Sequence, residues 1–237
     1  MEVFKHFKEF KMDVLKEVGN IGAGNAATAL SRLLDKPVDM AVPKVQLLPF
    51  EEIADRVGGA ERIVIAIFLR VEGDAPGNLF FILSPEAAKS LLKRLAGMQV
   101  DQDGMFDEME QSALCEIGNI LAGSYLSSLA DFTKLDLSPT VPGLAMDMAG
   151  AVLSYGLLQF GQMGDDALLI DTTFLEGDHE VEGKFFLIPD PDSFAKIFQA
   201  LFSTKSRWST FRRTPVPSAA KSACVRPIVS PPNENTL

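Results

Sequence analysis

Two short constellations pair a carboxylate with a carboxamide one helical turn away: Glu17 with Asn20, and Glu116 with Asn119. Four residues before each acid stands a small polar residue, Asp13 or Ser112, and 22 intervening residues separate each Asn from a proline, Pro43 or Pro142. No His lies in either motif, so neither sets a nucleophile beside a base. Cys115 sits inside the second motif, but Lys16 takes its place in the first, so a thiol mechanism would leave one copy dead; Cys115 reads as a packing residue. His6 and His179 are isolated and read as surface residues. An acid and an amide could hold Mg²⁺ or Ca²⁺ through oxygen, yet two ligands one turn apart are too few without help. The remaining use is positional. A carboxamide can orient a water with its carbonyl and its NH₂, and a carboxylate can pair with a cation on a partner. Placing a water for in-line attack is most of what labile phosphoryl chemistry requires.

A Glu on an exposed helix face is usually only solvated, so the pattern needs further support. Three features supply it. Gly19, Gly22 and Gly24 cluster in one helix, each costing roughly 1 kcal/mol against Ala, which makes sense if another backbone must come close. The Glu-x-x-Asn pair recurs while neighbours diverge (Lys16 against Cys115, Arg32 against Asp131), and the spacing to proline is kept.

The recurrence is a duplication. Shifted by 99 residues, 13–43 lies over 112–142 with ten identities in 31 positions, densest where EVGNIGAG meets EIGNILAG. At a shift of 106, Phe68-Leu69 falls on Phe174-Leu175, Gly77 on Gly183, Phe80 on Phe186 and Pro85 on Pro191. Each copy reads as helix, strand, strand, strand, helix. Apolar residues at helical spacing predict helices over 8–34, with a possible break at the glycines, and over 104–132. β-branched and aromatic runs predict strands over 38–48, 62–71, 78–83, 167–175 and 184–188. Residues 73–77 read as a hairpin turn, 146–162 fits helix or strand, and Ser84-Pro85 and Asp190-Pro191 announce helices over 85–95 and 191–201. Sequence-adjacent strands are expected to pair antiparallel. The expected fold is α+β, a largely antiparallel sheet with long helices packed on it, its two copies related by a pseudo-twofold axis. On a helix turning about 100° per residue, Asp13, Glu17 and Asn20 lie within roughly 60° of one another, with Gly24 in line. Ser112, Glu116, Asn119 and Gly123 do the same in the second copy.

The 237 residues are ample for a core, and 47% are hydrophobic. Two cysteines and two histidines make neither a disulfide framework nor a zinc site. The longest apolar run, 63–69, is too short to span a bilayer, and the N-terminus is not a signal peptide, so the expected location is cytoplasmic. The net charge of −10 is uneven: residues 203–237 carry six Lys/Arg against one acid, with five Pro and ten Ser/Thr. That tail reads as a disordered appendage outside the fold. The acidic remainder repels nucleic acid and anionic membrane and suits a basic partner.

The doubled pattern Asp/Ser-x3-Glu-x2-Asn-x22-Pro resembles the CheC-type phosphatases of bacterial chemotaxis, related to CheX and to the flagellar-switch protein FliY. The resemblance covers about residues 8–202. Two copies in one chain resemble CheC and imply a monomer, whereas CheX has one copy and dimerises. It implies dephosphorylation of the aspartyl phosphate of the response regulator CheY. Asn20 or Asn119 would orient the water, and Glu17 or Glu116 would pair with the regulator's Lys. Asp13, Pro43, Ser112 and Pro142 would support the motif. The protein would hold no metal or cofactor of its own, the Mg²⁺ being carried by phosphorylated CheY. The segment 143–156 resembles a region that contacts the receptor deamidase CheD, with Asp147 the most suggestive residue. Two other classes fit the same residues: a noncatalytic adaptor for phosphorylated CheY or CheD, and a structural domain of the flagellar switch.

Overall fold

The structure is a computed structural model that describes residues 2–101, 105–160, 166–176 and 179–203, with the side chains of 2–11, 155–160, 176, 202 and 203 excepted. The basic tail beyond 203, Cys224 and the side chain of His6 lie outside the described residues. The first copy runs α1 (Glu2–Leu34), β1 (Asp39–Ala41), β2 (Val45–Pro49), a 3₁₀ turn (Phe50–Glu52), α2 (Ile53–Arg56), β3 (Ile63–Gly73), β4 (Gly77–Leu83) and α3 (Pro85–Arg94). The second runs α4 (Glu108–Thr133), β5 (Leu137–Pro139), β6 (Gly143–Met148), α5 (Ala149–Phe160), β7 (Asp166–Glu176), β8 (His179–Pro189) and α6 (Pro191–Ser203).

Each copy therefore holds two features beyond the expected helix, three strands and helix. The first strand is split in two, and a helix precedes the hairpin. The splits fall at Pro43 and at Val141-Pro142, where proline cannot donate to the ladder. The stretch 146–162 is both alternatives in turn, strand to Met148 and helix from Ala149.

The eight strands form one antiparallel sheet in the order β1-β7-β8-β4-β3-β5, with β2 also on β7 and β6 also on β3. The central β4–β8 pair joins the copies, with Phe80 opposite Phe186. Each copy's split strand crosses to the other copy's hairpin: Val45 faces Ile170, and Ala145 faces Ala66. Neither half can complete its sheet alone. The expectation that sequence neighbours pair holds for the hairpins β3–β4 and β7–β8 and fails for β2 and β3, because residues 50–62 are not a short loop and hold a helix. The alignment of Phe68 with Phe174 also fails. Gly77 faces Val71 whereas Gly183 faces Thr172, so β3 and β7 correspond at an offset of 101. A shift of 106 would reverse the faces, and the side chains agree: Phe68 packs beside Val64 and Phe80, while Phe174 rests on Phe81 on the opposite face.

One sheet face is covered by α2 and α5 over Val64, Phe80, Ile82, Phe186 and Ile188. The other lies under α1 and α4, which pack side by side. Both long helices are continuous, and α1 runs through Gly19, Gly22 and Gly24 without a break. Helix α4 starts at a full capping box, where Asp107 accepts from the Glu110 N–H at 2.8 Å and Glu110 accepts from the Asp107 N–H at 3.0 Å. Ser84 caps α3 as expected, accepting from the Ala87 N–H. Asp190 uses its carboxylate otherwise: it takes a two-pronged ion pair from Arg70, one prong at 2.8 Å, which ties β3 of one copy to the entry of α6 in the other.

Candidate functional site

The glycines show how the sequence seats α1 on α4. A Cβ on Gly22 would sit 2.6 Å from Tyr125 Cδ1 and 3.1 Å from Tyr125 Cα. No rotamer moves a backbone atom, so Gly22 sets how closely the helices approach. The Tyr125 ring is held in turn by Phe185, 4.9 Å away, and by its hydroxyl, 3.1 Å from that of Thr172. Burial pushes this phenol up to about 12, so it stays neutral and acts as a strut. Gly19 faces inward against Val42, and Gly118 is capped by Ile67. The glycine cluster thus serves internal packing more than a visiting chain. Gly24 and Gly123 differ, since a Cβ on either would meet nothing within 4 Å. They are partly or fully exposed on the site stripe, and no contact inside the fold requires them.

With the inner faces fixed this way, the outer stripes are determined. Asp13, Glu17, Asn20 and Gly24 are all exposed along α1. On α4, Ser112 and Glu116 are exposed, and Asn119 and Gly123 are half-buried. None of the two carboxylates and two carboxamides makes a hydrogen bond or ion pair with a described residue, so all four polar ends are available to a visitor. Pro43 is exposed in the β1–β2 link and Pro142 half-buried in the β5–β6 link. Helix α1 packs on β1 and β2, and α4 on β5 and β6, so each proline belongs to the strands beneath its own helix. The sequence pattern thus gathers into two like sites on one layer.

The sites are open surfaces. A charged cleft of ≈ 440 Å³ elsewhere, lined by Arg56, Arg62, Glu86, Glu182 and Lys184, contains no motif residue. Burial raises the pKa of the half-buried Cys115 thiol, which opposes thiolate chemistry. His179 is exposed in β8 and apart from both helices. No group of three or more His, Cys, Asp or Glu side chains among the described residues is placed to hold a metal, and no helix among them is long and apolar enough to cross a membrane. Asp147 is exposed near the end of β6, where its Oδ1 accepts from the Met148 N–H at 2.7 Å. That places it on the sheet-edge strand β6, apart from the two helix stripes.

A model of the CheC-like family matches residues 10–47 and 109–146, the two segments that carry the motifs. The "CheY-P phosphatase CheC" of Bacillus subtilis is 48% identical over 206 residues, covering 85% of this chain and 98% of that protein. The chain belongs to the CheC-like family. The flagellar motor switch phosphatase FliY of Bacillus subtilis is 32% identical over 133 residues, 55% of this chain and 35% of its own length. Among solved structures, Thermotoga maritima FliY superposes with a TM-score of 0.62 at 19% identity, covering 82% of this chain and 97% of that one. A chain of the FliM-SpeE complex from H. pylori gives 0.60 at 14% identity, covering 81% of this chain and 95% of that one. At these identities the two structures support the fold of this CheC-like chain and nothing finer.

Proposed function

We propose that this phosphatase hydrolyses the aspartyl phosphate of the response regulator CheY, using Asn20 and Asn119 to orient the attacking water and Glu17 and Glu116 to hold the regulator's Lys. The observation that carries the reading is the unbonded Glu-x-x-Asn stripe, present twice, with Glu17, Asn20 and Glu116 exposed and Asn119 half-buried, in a chain 48% identical to a protein named for this reaction. The water oxygen attacks phosphorus in line, the bond to the aspartyl oxygen breaks, and a regulator carboxylate and inorganic phosphate leave. No bond forms to the phosphatase. CheY brings its own Mg²⁺ and Lys to neutralise the phosphoryl oxygens, so the enzyme need add only geometry. An open surface suits such work, because the substrate is a folded protein that carries its own active site. Asp13, Ser112, Pro43 and Pro142 support the stripes, and the protein acts as a cytoplasmic monomer, its duplication standing in for a dimer.

The charge role has its own test. In Glu17→Lys with Glu116→Lys, like charges would face the regulator's Lys, and KM for phosphorylated CheY is expected to rise at least tenfold, roughly 1.4 kcal/mol. Steady-state phosphate release checks this, and an unchanged KM removes the carboxylates from docking.

A second contact, with CheD, is proposed at β6 and the start of α5. Here Asp147 lies between Met146 and Met148, exposed at 46% and 44%, on a strand whose ladder partner is β3. An exposed acid between apolar side chains on a sheet edge fits a protein partner.

A further inference from the structure

The three most exposed large apolar side chains among the described residues are Val141 at 90%, Met105 at 87% and Met109 at 72%. All three belong to the second copy, around the helix that carries Glu116 and Asn119. Single apolar residues on a surface are ordinary, but here the three most exposed ones all belong to α4 or to the segments that flank it and the strands beneath it. Met109 stands seven residues before Glu116, so on a helix it falls about 20° from it and extends the Ser112–Glu116–Asn119 stripe by one turn. Val141 adjoins Pro142 in the β5–β6 link, whose two strands pack on α4. The first copy treats this position differently: Val42 is 2% exposed and rests against the Gly19 backbone, while Val141 points outward and Ile67 fills the space over Gly118 instead.

We propose that Met109 and Val141 are docking residues of the second site, which hold the surface of phosphorylated CheY around its active site by apolar contact. The inference rests on the reading that α4 carries a phosphatase site. The occupant follows from continuity: Met109 lies on the same stripe ten residues from Asn119, about 15 Å along the helix, a span that a folded regulator seated on Asn119 is wide enough to cover. An unbranched thioether adapts to an irregular partner surface at little strain. Glu116 then supplies the charged part of the contact and Met109 with Val141 the desolvated part, the usual division between a rim and an anchor.

The test uses the full chain carrying Asn20→Ala, so that turnover reports the second site. Met109→Ser with Val141→Ser removes apolar area without adding charge. The expected result is a KM for phosphorylated CheY raised roughly tenfold, with kcat within about twofold. The conservative pair Met109→Leu with Val141→Ile is expected to restore the parental KM, and Leu33→Ser, an exposed residue at the far end of α1, to leave it unchanged. An unchanged KM in the serine pair, or an equal loss in the conservative pair, overturns the proposal. Titration of beryllofluoride-loaded CheY onto Glu17→Lys/Asn20→Ala/Asn119→Ala protein, with first-site docking impaired, measures docking at the second site without turnover. The serine pair is expected to weaken that binding by the same factor even where the assignment of the asparagines to water positioning fails. Equal binding with and without the serine pair refutes the docking residues by themselves.

Discussion

Replacing both carboxamides, Asn20→Ala with Asn119→Ala, is expected to abolish stimulated dephosphorylation of CheY. A single well-placed amide is worth about 10²-fold, near 3 kcal/mol of barrier, so the double variant should fall at least that far toward spontaneous decay. Stability should hardly change. Asn20 is exposed, Asn119 is half-buried, and neither bonds to a described residue, so truncation leaves no orphaned partner inside the fold. Surface changes of this kind stay within about 0.5 kcal/mol. Each single variant keeps one intact site and therefore a measurable share of the rate. Phosphate release measured beside a thermal melt checks both parts, and full activity in a folded double variant rejects the assignment.

The second large effect concerns the helix pair that aims both sites. Gly22→Leu should force α1 away from the Tyr125 backbone. Overpacking of this kind costs about 1–3 kcal/mol or somewhat more, against a gain of up to about 1 kcal/mol from helix propensity. Tyr125→Ala alone should cost about 3–5 kcal/mol, from the cavity and from the Thr172 hydroxyl left without its partner. The duplication suggests a rescue. Leu121 and Ala26 hold the positions equivalent to Gly22 and Tyr125, and both are fully buried, so there the motif position matching Gly22 carries the large residue and the one matching Tyr125 the small one. Gly22→Leu with Tyr125→Ala would copy that arrangement. The double variant should lose less stability than the two single losses combined, with a coupling of about 1–3 kcal/mol. Denaturant unfolding of the four proteins measures it, and strict additivity would deny the interlock.

Much of this was legible because the signals are local. The duplicated Glu-x-x-Asn motifs, the proline spacing, the Ser84 cap and the β4–β8 correspondence follow from residue types at short range, and both long helices end within a residue of the expected bound, while α1 starts six residues earlier and α4 four later than the apolar period implies. What was not legible depends on distant contacts. β2 pairs with β7 more than a hundred residues away, a choice no local period records. The short α2 (IADR) has too few residues to show a helical period, and the charge-free α5 (AGAVLSYGLLQF) lacks a charged face from which amphipathicity could be read. The β3/β7 offset is 101 and not 106 because strand pairing, which fixes the faces, acts between distant residues, while the two matching Phe-Leu pairs are a local coincidence. Gly22 could be noticed as costly, but its reason, Tyr125, lies on another helix. Likewise Asp190 looked like a helix cap until Arg70, 120 residues earlier, claimed its carboxylate.

The most direct measurement is a phosphate-release time course in which a small fraction of this protein meets a large excess of phosphorylated CheY. A catalyst should clear the whole pool at a rate proportional to its own concentration, with many regulators turned over per site. If release instead stops after about one equivalent per site, or matches spontaneous decay throughout, the protein is a sequestering adaptor and the carboxamides perform no hydrolysis.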